Sequence, residues 1–113
     1  MERVSLSDLE PSEAADGVHL ALMAGVDSMN VQHFEIAPDA VVDEHEHPNE
    51  QTGFIYEGEL VFLVEGEEIV CGPGDSYAIP GDQPHAAENR GEETVRGVDI
   101  FAPPRANPNW QSE

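Results

Sequence analysis

From Val18 onward the chain is a series of short segments in which apolar and polar residues alternate, or in which a brief apolar run is cut off by a turn. Alternation places every second side chain on one face, which is strand behaviour. The segments run Val18 to Met23, Asn30 to Ile36, Val41 to His47, Gln51 to Tyr56, Leu60 to Glu65, Glu68 to Cys71, Ser76 to Ile79, His85 to Glu88 and Thr94 to Phe101. Between them stand Pro38-Asp39, Glu57-Gly58, Glu65-Gly66, Gly72-Pro73-Gly74-Asp75, Pro80-Gly81-Asp82 and Arg90-Gly91, all turn formers. No long stretch has helical periodicity. Ser7-Asp8-Leu9-Glu10 offers one short helical turn, limited by Pro11. Short strands at this spacing predict an all-β antiparallel sandwich or barrel. Pro103-Pro104 ends the last strand, and the tail 106–113 is expected to be loosely ordered, with Trp110 as its anchor.

Size agrees with one domain over residues 1–113, with its core at about 18–103 between a short N-terminal segment and the C-terminal tail. A chain this long buries roughly two-thirds of its unfolded surface, enough for a modest core without a disulfide. The single Cys71 has no partner for an internal bridge, which fits a reducing compartment. Beside its Gly-Pro-Gly turn it reads as a small buried hydrophobe. There is no leader-like apolar segment and no apolar run near ~18 residues, so a cytoplasmic protein that spans no membrane is expected.

Charge narrows the partners. The chain has 24 acidic residues against four arginines, no lysine, and a formal charge of −20. Such a surface repels nucleic acid and anionic lipid, and both are excluded as partners. The acids are spread along the chain, as on a solvated surface. Abundant acid without lysine is a halophilic pattern, because screening in a salt-rich cytoplasm removes self-repulsion.

Five histidines are present, and two stand one residue apart in "EHEHPNEQ". On a strand His45 and His47 face the same way, a spacing that suits a divalent transition metal. Two surface histidines among acids would look the same, and the pair alone leaves both readings open. His19 and His33 lie on earlier strands and read as structural.

The residues downstream extend the pattern. H-x-H-x3-Q-x6-G is met by His45, His47, Gln51 and Gly58, and G-x5-P-x4-H-x3-N by Gly74, Pro80, His85 and Asn89. Together they resemble the two motifs of the cupin superfamily. The resemblance implies a small double-stranded β-helix, or jelly-roll, barrel holding a divalent metal (Zn, Ni, Mn or Fe) on His45, His47, Gln51 and His85. Three positions depart from the usual motif: Gln51 stands where Glu is common, and Asp39 and Asp82 where Gly is common. Glu50 is the alternative fourth ligand, since a one-residue shift changes the face. The choice matters, because a neutral amide leaves the ion's charge uncompensated and a carboxylate damps it.

The last strand carries the second signal. In "GVDIFAPPR" Asp99 and Phe101 share a face, and an Asp within an apolar strand is costly unless it meets a polar cavity. From the residues alone it could equally face outward. The ligand set followed by D-x-F-x-P-P-R is similar to that of small cupins of pectin and alginate breakdown, which open the rings of unsaturated uronates. That resemblance implies that Asp99 and Phe101 line the cavity and that Arg105 meets the carboxylate of an anionic sugar substrate. It also implies a homodimer, to which the outward Val61 and Val70 could contribute. Two further functions fit the same residues: a metal-dependent dioxygenase of a small organic substrate, and a non-catalytic small-molecule-binding cupin.

Overall fold

The computed structural model describes residues 1–105, so the expected anchor Trp110 lies outside the described residues. After a short 3-10 turn at Leu6–Asp8 come ten strands: β1 (Ser12–Ala15), β2 (Val18–Gly25), β3 (Asn30–Ile36), β4 (Val41–His45), β5 (Glu50–Glu57), β6 (Leu60–Val64), β7 (Glu67–Cys71), β8 (Ser76–Ile79), β9 (His85–Glu88) and β10 (Val95–Ala102). They form two antiparallel sheets, one ordered β1-β2-β3-β10-β5-β8 and the other β4-β9-β6-β7. The two antiparallel sheets are what the alternation predicts, and their jelly-roll architecture is what the resemblance implies.

Each strand follows its own alternation. On β5 the buried positions are Gln51, Gly53 and Ile55; on β10 they are Val95, Gly97, Asp99 and Phe101. Phe34, Ile36, Ile55, Leu60, Phe62, Val95 and Cys71 pack together in the apolar core between the sheets. Ile55 and Val95 are fully enclosed, and burying side chains of that size stabilises by about 1.5–3 kcal/mol each. Cys71 is buried as a small hydrophobe; of the two valines expected to face outward, Val70 is exposed but Val61 is buried.

Two expectations change. The first is β1, which the sequence does not announce. Ser12, Glu13 and Ala15 are exposed, and the strand is held by pairing with β2 rather than by an apolar face. The second is β4, which ends at His45 instead of reaching His47. Pro48 cannot donate to a ladder, and it holds His47 extended without pairing it.

The motif departures are turn positions. Asp39 and Asp82 both have positive φ, 68° and 65°. A glycine enters that region freely, and Asp is among the few other residues that tolerate it. Asp39 thus fills a glycine's conformational role, and its backbone N–H donates to the Asn89 carbonyl. Asn89 is buried and donates in turn to the carbonyls of Ile36 and Glu93, tying the end of β9 to β3. Asp82 N–H donates to the His47 carbonyl, and the Gly81 beside it approaches Pro48 too closely for any side chain. The 80–82 turn therefore braces the unpaired segment that carries His47.

Candidate metal centre and its cavity

Three imidazoles converge where β4, the segment after it and β9 meet. Their ring centroids lie 5.7 Å apart for His45 and His47, 4.3 Å for His45 and His85, and 5.3 Å for His47 and His85. One nitrogen from each falls within 4.8 Å of the other two. Each ring is held by a backbone carbonyl two residues away: His45 Nδ1 to Asp43 at 2.9 Å, His85 Nδ1 to Gln83 at 2.8 Å, and His47 Nδ1 to Asn49 at 3.1 Å. A carbonyl can only accept, so each Nδ1 carries the proton and each Nε2 presents a lone pair. This is how a metal-binding histidine is usually oriented from behind.

The lone pairs have few protein partners. His85 Nε2 is buried without any hydrogen-bond partner. His47 Nε2 faces Gln51 Oε1 at 3.1 Å, so two acceptors confront one another. That arrangement is satisfied by a cation between them. With N and O ligands about 2.0–2.2 Å from an ion, a separation near 3 Å is a normal one between neighbouring ligands. Burial, the largest cause, pushes the pKa values of His47 and His85 down, helped by the charge of Arg105 and by the neighbouring imidazoles, which favours the neutral rings a metal needs. The cluster is therefore compatible with a divalent metal. Gln51 points inward and is buried, while Glu50 is exposed on the opposite face.

Beside the imidazoles lies a cavity of about 430 Å³ between the sheets, lined by His45, Gln51, His85, Asp99, Phe101 and Arg105 among others. Asp99 is 7% exposed. Burial raises its carboxyl to about 6, against the opposing pull of hydrogen bonds from Tyr77 and Gln51 and of the Arg105 charge. Tyr77 Oη donates to Asp99 Oδ1 at 2.5 Å, reaching from β8 across β5. The strand between has Gly53 at that level, and a Cβ there would overlap the Tyr77 ring and sit 2.5 Å from Asp99 Oδ1.

Arg105 is half-buried, with its guanidinium 5.6 Å from the centre of the Phe101 ring. Its backbone N–H donates to Asn30 Oδ1 at 2.7 Å, and Asn49 Nδ2 donates to the Pro103 carbonyl at 2.7 Å. The Pro-Pro-Arg segment is thus tied to the barrel at both ends. Arg90 and Arg96, by contrast, are engaged with surface carboxylates, Glu68 and Glu88 in one case and Glu35 and Glu57 in the other. His33 bonds Tyr56 at 2.6 Å and His19 lies 4.0 Å from Glu13, both away from the cluster.

The structure thus brings His45, His47, His85 and Gln51 of the motifs together with Asp99, Phe101 and Arg105 of the last strand, whereas Gly58, Gly74, Pro80 and Asn89 do not line the cavity. Sequence reasoning missed Tyr77, Gly53, Asn30 and Asn49. Asn49 stands inside the quoted "HPNEQ" run, but its partner Pro103 is 54 residues away. Among the described residues, no helix is long and apolar enough to cross a membrane.

Residues 32–101 match the family model of the cupin domain (Cupin_2). The chain is 32% identical over 106 residues to the tetracenomycin polyketide synthase protein TcmJ of Streptomyces glaucescens, covering 89% of this chain and 71% of that protein. It is 26% identical over 109 residues to the pectin degradation protein KdgF of Dickeya dadantii (strain 3937), covering 95% and 98%. Among solved structures, KdgF from a Halomonas species superposes with a TM-score of 0.86 at 20% identity, covering 95% of this chain and 97% of that one. The polyketide cyclase RemF from Streptomyces resistomycificus superposes at 0.79 and 22% identity, covering 90% and 79%.

Proposed function

This chain belongs to the cupin family, and we propose that it is a metal-dependent enzyme that opens the ring of an unsaturated uronate to give a linear keto sugar. One observation carries the reading: a buried carboxylate, Asp99, shares a cavity with His45 and His85 of the three-imidazole cluster, and Arg105, which stands over Phe101, lines the same cavity. His45, His47, His85 and Gln51 hold the ion. When bound, the metal supplies a Lewis acid that polarises the sugar's oxygens.

The chain's own residues do the rest. Arg105 grips the substrate carboxylate through its guanidinium fork, and the Asn30 and Asn49 ties keep that grip in one place. Phe101 forms a wall for the sugar face. Asp99 takes the proton of the anomeric hydroxyl as the bond between the anomeric carbon and the ring oxygen breaks. The electron pair stays on the ring oxygen, leaving an aldehyde and an enolate. Asp99 returns its proton to the enolate carbon, and a ketone forms. The reaction is an isomerisation that consumes neither oxidant nor water. A carboxyl held near 6 suits this two-way transfer close to neutrality.

A second reading has its own support. Leu20, Phe34, Leu60 and Phe62 also line the cavity, and an apolar lining suits a polyketide-like ligand, in line with the similarity to the polyketide synthase protein TcmJ. The proposal also includes a homodimer, for which Phe54, Tyr56 and Ile100 leave an exposed apolar face on the six-stranded sheet.

The test is an assay with an unsaturated uronate monosaccharide in molar salt, using protein loaded with divalent metal and following the enol's ultraviolet absorbance. Rapid loss that disappears in Arg105→Ala is the expected result. Loss no faster than the spontaneous rate overturns the uronate reading. Oxygen uptake on other organic substrates would point to a dioxygenase instead.

A further inference from the structure

The inward positions of the six-stranded sheet form rows across the strands. One row runs Leu22, Gln32, Asp99, Gly53, Tyr77, each paired with the next on the neighbouring strand. Tyr77 and Asp99 satisfy each other in that row. Gln32 does not share in it. Its side chain lines the cavity, the residue is 3% exposed, and its Oε1 is buried with no hydrogen-bond partner. An orphaned buried amide oxygen costs stability, on the order of 1–3 kcal/mol for a neutral group, and calls for an explanation. The inward neighbours on β3 are Asn30, whose amide oxygen holds Arg105, and the apolar Phe34 and Ile36. Gln32 is the one amide of this wall left without work.

We propose that Gln32 is a specificity-determining residue, whose side-chain amide hydrogen-bonds a hydroxyl of the ligand on the side of the cavity next to Asp99. A hydroxyl both donates and accepts, so it satisfies whichever end of the amide is turned to the cavity. An apolar ligand leaves the amide orphaned, and the site rejects it for that reason. A ligand carboxylate is served by Arg105, which leaves a hydroxyl as the group Gln32 recognises. The cavity therefore takes a hydroxylated carboxylic acid rather than a bare one. This rests on the uronate reading for the nature of the acid and goes beyond it in assigning the residue that reads its hydroxyls.

The experiment uses two probes without the ring double bond, which therefore cannot be ketonised, D-galacturonate and cyclohexanecarboxylate, titrated calorimetrically into the metal-loaded full-length protein in molar salt. Wild type is expected to bind galacturonate more tightly. Gln32→Met, close in shape but without the amide, is expected to lose about fivefold to tenfold in that preference, with cyclohexanecarboxylate binding unchanged or improved. An equal preference in both proteins overturns the proposal, as does a wild type that does not favour galacturonate. Thermal unfolding of the ligand-free proteins is the second arm. A residue kept for a ligand leaves Gln32→Met at least as stable as wild type, whereas a lower melting temperature assigns Gln32 a structural role and overturns the proposal. Gln32-dependent preference without turnover of the unsaturated uronate would remove the ring-opening reading and leave Gln32 in place.

Discussion

The two halves of the site are built on different principles. The histidine cluster is largely local: each ring is fixed by a carbonyl two residues away, His45 and His47 lie on one short segment, and one strand pairing, His45 with His85, brings in the third ring. The acid–tyrosine half is made entirely across strands. Asp99, Gly53 and Tyr77 come from β10, β5 and β8, and none touches its partner without the register of the whole sheet. The first half needs a short extended segment and a single strand pairing. The second needs a correct sheet. Disturbing either should therefore damage different properties.

The largest effect belongs to the histidines. His85→Ala removes a buried lone pair that has no partner within the protein. Loss of a supporting contact behind a metal ligand typically costs 10–100-fold in affinity, so loss of the ligand itself should cost more than about 100-fold. Metal content after dialysis against a competing chelator measures it. Retention of wild-type affinity would remove His85 from the centre.

Asp99→Asn should separate chemistry from metal binding. The amide keeps the shape of the carboxyl but cannot carry the proton back and forth. Turnover of the unsaturated uronate should fall by about 10²–10⁴-fold, the usual worth of a positioned general acid–base group, with metal content unchanged. If the metal is lost as well, Asp99 belongs to the centre and the two halves are not separable.

The cross-strand half can also be tested without touching the carboxylate. Tyr77→Phe removes one donor to Asp99 Oδ1 and leaves the ring packed on Phe62, 4.6 Å between centroids. A drop of about tenfold in turnover, with little change in melting temperature, is expected from the loss of one charge-assisted hydrogen bond. Gly53→Ala should instead lower stability by about 1–3 kcal/mol, because its methyl must displace Tyr77 or Asp99. Urea unfolding checks it, and an unperturbed Gly53→Ala would mean that Tyr77 does not reach across β5.

How much the sequence reveals follows the same division. The strands, the His-x-His pair and the shared face of Asp99 and Phe101 are periodic signals, visible within a few residues, although periodicity alone does not say that this face is the inward one. The turns at Asp39 and Asp82 keep the glycine-like conformation even though the glycine is gone. What sequence reasoning cannot supply is register. That Gln32, Asp99, Gly53 and Tyr77 fall in one row depends on pairings between residues 24 to 67 positions apart along the chain, for which alternation gives the face but not the neighbour. β1 is missed for a related reason, since it is held by its neighbour's backbone rather than by apolar side chains of its own.

The smallest effect lies on the outer face of the same sheet, far from the cluster, and shows what burial does to a histidine with no metal to serve. His33 is 4% exposed and bonded to Tyr56. Burial lowers its pKa below 6.5, with Glu35 pulling it up and Arg96 pushing it further down. The fold therefore favours the neutral ring. Its contribution to stability is fully present above the unfolded value of 6.5 and is lost as pH falls below that value, because the unfolded chain then binds a proton that the folded one resists. The loss cannot exceed about 1.4 kcal/mol per pH unit and stops once the folded ring also titrates. Comparing wild type with His33→Gln isolates the effect from the other histidines. The stability difference between them, read from urea unfolding of metal-loaded protein in molar salt, should shift against the wild type between pH 7.5 and 5.5. A constant difference across that range would mean that His33 titrates normally in the folded protein, and that burial on the outer face leaves it hydrated enough to take a proton.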